Sequence, residues 1–207
     1  RENVVRVGLD PPAELLLGLV GVGREDGEAE KGVGVGVGGV FDGTGGPLVR
    51  LGGFSGGTRP EKCPTRSEIG AMLSRIGFQS IQLDFDSATL GKKGVIVDLG
   101  GIAKGYAVDR VWEALQAAGA RNFLVNLGGN MRSGGQAAEG RPWTIAVRNP
   151  FEGGGILGTL TLGEGMAVAT SGNYERFVTI DGKRYSHIID PRTGDPVQGM
   201  AGVTVLS

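Results

Sequence analysis

Apolar and polar positions alternate in two different rhythms along this chain. Helical spacing appears twice. Thr65-Arg66-Ser67-Glu68 has the form of a capping box, in which the Thr hydroxyl and the Glu carboxylate satisfy free amides at a helix start. Ile69, Met72, Leu73 and Ile76 follow at one-face spacing and Gly77 supplies a stop, which predicts the first helix. Val108, Val111, Trp112, Leu115 and Ala118 form a second apolar stripe that ends at Gly119. Elsewhere the rhythm is that of strands. Residues 79–85, 95–97, 122–127, 142–148, 156–162, 166–170, 174–180, 183–189 and 202–206 read as strands, and Asp181-Gly182 is a hairpin signal between two of them. Helices in the middle and consecutive strands at the end predict an α+β fold, mostly antiparallel sheet with a few helices.

Residues 1–38 fit neither rhythm. Pro11 to Leu17 is compatible with a short helix. The Val/Gly alternation at 32–39 has strand period, but glycine carries no side chain to pack, so a flexible or poorly ordered segment is expected there. The organisation expected is therefore an irregular N-terminal segment, 1–38, followed by one domain, 39–207. Among 207 residues there are 41 glycines, without the three-residue period of collagen. They serve turns or flexible segments.

Composition narrows the chemistry. A net charge of -1 provides no general attraction for nucleic acid. Cys63 is the only cysteine and His187 the only histidine, so disulfides, thiolate cages and multi-histidine metal sites within one chain are excluded. No apolar run approaches the roughly 20 residues that span a bilayer.

Three segments carry candidate chemistry. At 98–106 a strand delivers Asp98 to a Gly100-Gly101 turn, and a helix follows whose first turn holds Lys104. A glycine turn lets a ligand approach the backbone, and a helix N-terminus favours phosphate or carboxylate. Neither the phosphate-loop pattern nor the dinucleotide Gly-x-Gly-x-x-Gly pattern is met. At 169–176, small hydroxyl residues beside Gly172 form either a plain hairpin loop or a polar site. At 185–197, His187 is followed by a rigid Asp190-Pro191-Arg192-Thr193-Gly194 turn. A lone histidine is more often structural than catalytic, but Tyr185 and Asp190 stand close in sequence.

Taken in order, Asp-Leu-Gly-Gly-Ile-Ala-Lys-Gly-Tyr-Ala-Val-Asp at 98–109, Asn-Leu-Gly-Gly at 126–129, Ala-Thr-Ser-Gly at 169–172 and Ser-His-Ile-Ile-Asp-Pro-Arg-Thr-Gly at 186–194 resemble the FAD:protein FMN transferase family. Phe-Asp-Gly-Thr-Gly-Gly-Pro-Leu at 41–48 resembles that family's earlier segment, so the resemblance covers about 39–207. It implies a flavin-transferase-like fold and phosphoryl transfer. FMN passes from FAD to a Thr or Ser hydroxyl of a target flavoprotein, AMP leaves, and magnesium neutralises phosphate charge. The alternatives it leaves are a hydrolase yielding FMN and AMP, and an impaired FAD-binding module. By the same resemblance Val40, Phe41, Asp42, Asp98, Lys104 and Ile188 contact FAD, the Gly101 carbonyl is a magnesium ligand, and His187 accepts or orients the transferred proton. The family's remaining metal ligands, an Asp and a Thr four apart, fall in a helix expected beyond Ser207, so the domain is expected to lack that last helix. The family's extracytoplasmic setting implies a periplasmic location, with any membrane association through a segment outside these residues.

Overall fold

The computed structural model describes residues 6–8, 40–56, 60–83, 87–151, 153–174 and 176–207. In chain order its elements are β1 (Arg6–Gly8), α1 (Gly46–Leu51), α2 (Arg66–Leu73), β2 (Ile81–Leu83), β3 (Ser87–Leu90), α3 (Ala103–Ala117), β4 (Phe123–Leu127), β5 (Asn130–Gly134), β6 (Trp143–Arg148), β7 (Ile156–Leu162), β8 (Ala167–Gly172), β9 (Phe177–Ile180), β10 (Lys183–Ser186) and β11 (Gly202–Leu206). Among the described residues every strand pair is antiparallel, which makes the fold α+β as the sequence predicts. The chain divides into two compact units: Arg1–Gly101 with Phe177–Gln198, and Ile102–Arg176 with Gly199–Ser207.

The first unit is built around helices and a hairpin. Thr65 caps α2 through the expected box, its hydroxyl accepting from Glu68 N and the Glu68 carboxylate accepting from Thr65 N. The bond from Thr65 N first, and one that the Thr65 hydroxyl donates to Glu68 Oε2 at 2.7 Å second, hold the Glu68 carboxyl below its ordinary value. Leu48, Ile69 and Ile76 form one buried cluster, with Met72, Leu73 and Ile189 packed on it. Phe54, Val178 and Ile180 form another, with Val49, Tyr185 and again Ile189. Ile189 thus stitches the end of the β9–β10 hairpin to both helices. Each fully buried side chain of this kind contributes roughly 1.5–3 kcal/mol. β1, β3 and β2 make a separate three-stranded sheet in that order.

In the second unit, β11, β8, β5 and β4 form a sheet in that order, and β6 pairs with β7. α3 lies on β4 and β5. Trp112 Nε1 donates to the Ser133 carbonyl at 2.8 Å, and the Arg132 guanidinium stacks 4.1 Å from the Trp112 ring while pairing with Asp109 at 2.7 Å.

Several boundaries differ from the sequence reading. The run at 95–97 is not a strand, because only Ile96 bridges to Gly45. Residues 78–80 make a 3-10 turn ahead of β2. The apolar stripe of α3 buries Val108 but leaves Val111 48% exposed. Strands expected at 174–180 and 183–189 shorten to β9 and β10. Four of the labelled elements, α1, β1, β3 and β5, were not anticipated. Pro47 opens the short α1 inside a segment read as turns. The Gly128-Gly129 pair, at φ 56° and 87°, does not close a strand but turns β4 into β5, as a two-residue hairpin requires. The helix expected near Pro11 and the Val/Gly segment at 32–39 lie outside the described residues.

Candidate functional site

The corner begins with a turn. The Asp42 carboxylate folds back so that Oδ1 accepts from Thr44 N at 2.8 Å and from Thr44 Oγ1 at 2.6 Å. This is the local side-chain-to-backbone capture that Asp favours at turns. Four residues past α2, Gly77 N donates to Thr44 Oγ1 at 2.8 Å, and Phe78 N donates to Asp42 Oδ2 at 3.2 Å. The turn is therefore tied to the end of α2.

Its neighbours reach the Asp98 segment. Asp98 N donates to the Gly43 carbonyl at 2.8 Å. The Phe41 ring lies against Gly101 so closely that a Cβ there would stand 2.8 Å from Phe41 Cε2. This is the close approach that a residue without Cβ permits. Asp98 Oδ1 accepts from Gly100 N at 2.8 Å, which shapes the glycine turn. Four expected site residues, Phe41, Asp42, Asp98 and Gly101, thus come together in the first unit. Val40, beside them in sequence, is 72% exposed.

His187 follows β10 and is half-buried, its ring edge-on to Phe54 with centroids 6.3 Å apart. Ile188 is pinned by its backbone: its N–H donates to Ser186 Oγ at 3.0 Å and its carbonyl accepts from Val197 N at 2.8 Å. The Asp190 carboxylate turns to Arg192, accepting from Nε at 2.9 Å and from Nη2 at 2.6 Å. Those bonds, with the Arg192 backbone N–H and its charge, hold the Asp190 carboxyl at about 2 and raise the guanidinium above its ordinary value. Gly194, at φ 74°, presses on the helices: a Cβ would meet Ile69 Cγ2 at 2.5 Å and Leu48 Cδ2 at 3.1 Å. Tyr185 faces a different neighbourhood. It lines an apolar cavity of about 90 Å³ together with Phe54, Ile180 and Cys63.

Lys104 lies in the second unit, in the first turn of α3, with its aliphatic stem 3.7 Å from where a Gly128 Cβ would stand. α3 opens on Ile102 with no side chain capping its first amides, which leaves them available to an anion. Of the β8 hydroxyls, that of Thr170 pairs within its sheet with Thr204 at 2.9 Å. Among the described residues no group of three or more His, Cys, Asp or Glu is placed to hold a metal ion. The residue missed by sequence reasoning is Thr44. Its signal was the Asp-x-Thr spacing of a side-chain-closed turn.

Comparison with known proteins agrees with the motif reading. Residues 32–207 match the model of the ApbE family. A protein of Haemophilus influenzae named FAD:protein FMN transferase is 41% identical over 175 residues, which cover 82% of this chain and 51% of that protein. Its namesake from Vibrio cholerae is 38% identical over 169 residues, covering 81% and 51%. The crystal structure of the ApbE protein from Thermotoga maritima superposes with a TM-score of 0.84 at 35% identity, covering 98% of this chain and 62% of that one. The apo flavinyl transferase ApbE of Pseudomonas stutzeri gives 0.78 at 32% identity, covering 98% and 60%. The α+β architecture is that of a flavin-transferase-like domain. The chain belongs to the ApbE family. It spans about half the length of the curated relatives it matches.

Proposed function

We propose that this chain provides the FAD-holding part of an enzyme that transfers FMN from FAD to a Thr or Ser hydroxyl of an acceptor flavoprotein. The observation that carries the reading is the corner in which the Phe41 ring covers Gly101 and the Gly43 carbonyl holds Asp98 N. In the reaction the acceptor oxygen forms a bond to the FMN phosphorus, the bond from that phosphorus to the AMP oxygen breaks, and the acceptor proton is taken up. His187 takes or orients that proton. Val40, Phe41 and Ile188 contact FAD, and Lys104 adds a cation, a role that rests on its sequence motif alone.

Magnesium suits the donors present, which are hard oxygens: the Gly101 carbonyl, and Asp98 Oδ2, since Oδ1 accepts from Gly100 N. Few protein ligands suffice because this ion keeps waters and substrate phosphates in its shell. When bound it neutralises charge on the phosphate oxygens. Gly101 has a separate part: having no Cβ, it lets the Phe41 ring settle on its backbone.

The test is to incubate the protein with FAD, magnesium and a threonine-bearing acceptor. A mass gain of one FMN on the acceptor is expected. Free FMN and AMP in the absence of acceptor would point to hydrolysis instead, and a chain that fails to bind FAD would sink both. An extracytoplasmic working place is part of the proposal and is checked by fractionating the source cells.

A further inference from the structure

The geometry points to Thr44 as a positioning residue that holds the flavin corner through Asp42, and to the Asp42 carboxylate as facing the protein rather than FAD. Thr44 is completely buried. A buried hydroxyl must find partners, and this one has two: it donates to Asp42 Oδ1 at 2.6 Å and accepts from Gly77 N at 2.8 Å. The carboxylate meanwhile receives three protein donors, Thr44 N and Oγ1 on one oxygen and Phe78 N on the other. Its acceptor capacity is about four sites, so most of it is spent inside the fold. A carboxylate is also the wrong charge for direct contact with a pyrophosphate.

What the network delivers is placement of the residues on either side of Asp42. Phe41 precedes it and covers Gly101; Gly43 follows it and holds Asp98 N through its carbonyl. The chain of contacts runs from the Gly77-Phe78 amides through Thr44 and Asp42 to Phe41 and Gly43, and from there to Gly101 and Asp98. The hydrogen bonds of Thr44 go to Asp42 and Gly77, not to Gly101 or Asp98. The inference rests on the flavin reading for its effect on ligand, while its effect on the corner itself does not need a ligand.

The experiment uses the whole chain and four variants: Thr44→Val, Thr44→Ser, Asp42→Asn and the double Asp42→Asn/Thr44→Val. Thr65→Ala is the control, since it weakens α2 at its exposed cap and leaves the corner alone. FAD is titrated with magnesium present, and amide hydrogen exchange is followed without ligand, at a temperature where circular dichroism shows each variant folded. Thr44→Val is expected to weaken FAD binding about tenfold and to speed exchange at Asp98 N–H by a similar factor, the loss of one well-made buried bond. Thr44→Ser restores both, because it keeps the hydroxyl. The double variant is no weaker than the weaker single, because both substitutions break one link. Thr65→Ala moves neither readout.

Unchanged Asp98 exchange in Thr44→Val would overturn the positioning role whether or not FAD binds. Losses that add in the double variant would overturn the inward-facing assignment and place Asp42 on the ligand. A wild-type chain that ignores FAD while Asp98 exchange responds as expected would sink the flavin reading alone.

Discussion

Two turns in the first unit use an aspartate in opposite ways. In the turn at 42–44 the carboxylate is the fastener. It gathers Thr44 N, Thr44 Oγ1 and Phe78 N, and the last of these lies 36 residues away in sequence. In the turn at 190–194 the carboxylate is occupied locally by Arg192, two residues on, and the fastening is done by Gly194, whose bare α-carbon sits against Ile69 and Leu48. One turn is held by what its side chain accepts, the other by the absence of a side chain. The same residue type, read from sequence, therefore carries different weight depending on how far away its partners are.

The largest effect that can break this comparison is at Gly194. Gly194→Val must place a branched side chain at positive φ and inside a packed cluster, and a loss of roughly 3 kcal/mol is expected in urea denaturation. A loss comparable to that of an ordinary surface substitution would show that the second turn is not held by its glycine. Next comes Asp42→Ala, which strands the Thr44 and Phe78 donors and is expected to lose about 2 kcal/mol by the same measurement. Thr65→Ala supplies the scale of an exposed side-chain fastener, expected at about 1 kcal/mol.

The smallest effect is at Asp190. Its carboxyl sits at about 2, below the ordinary 3.8. A depressed carboxyl contributes stability that is present above the unfolded value and is lost as pH falls through the folded one, here between about 4 and 2. Arg192→Ala should return the Asp190 titration toward 3.8, as read by carboxyl NMR, while leaving the urea midpoint at neutral pH nearly unmoved, since the Arg192 side chain is well exposed.

Much of this was legible in the residues. The α2 cap was written in Thr65 and Glu68, and the Asp181-Gly182 hairpin in a dipeptide that tolerates positive φ; both stand as read. These are local signals, decided by neighbours within four positions. What escaped depended on partners far along the chain. Val111 has the spacing of a core residue, yet nothing covers it enough to bury it. Residues 95–97 have the composition of a strand, but only Ile96 finds a partner. At the site, the motifs named the glycine turn, the aspartates and His187, whereas Thr44 was passed over. Its burial and its bond to Gly77 exist only once α2 has been packed beside the turn.

The division of the chain has a consequence for how the molecule is made. Both units are interrupted in sequence. The first lacks its β9–β10 hairpin until residues 177–186 have been made, and the second lacks β11 until residues 202–206 have been made. The Arg66–Asp195 ion pair joins positions 129 apart. The first unit cannot close until its second segment, 177–198, has been made, after most of the second unit. Long-range pairings of this kind fold slowly and leave apolar surface waiting for its cover. A chain cut after Gly101 should therefore leave the first unit without its hairpin and unfolded.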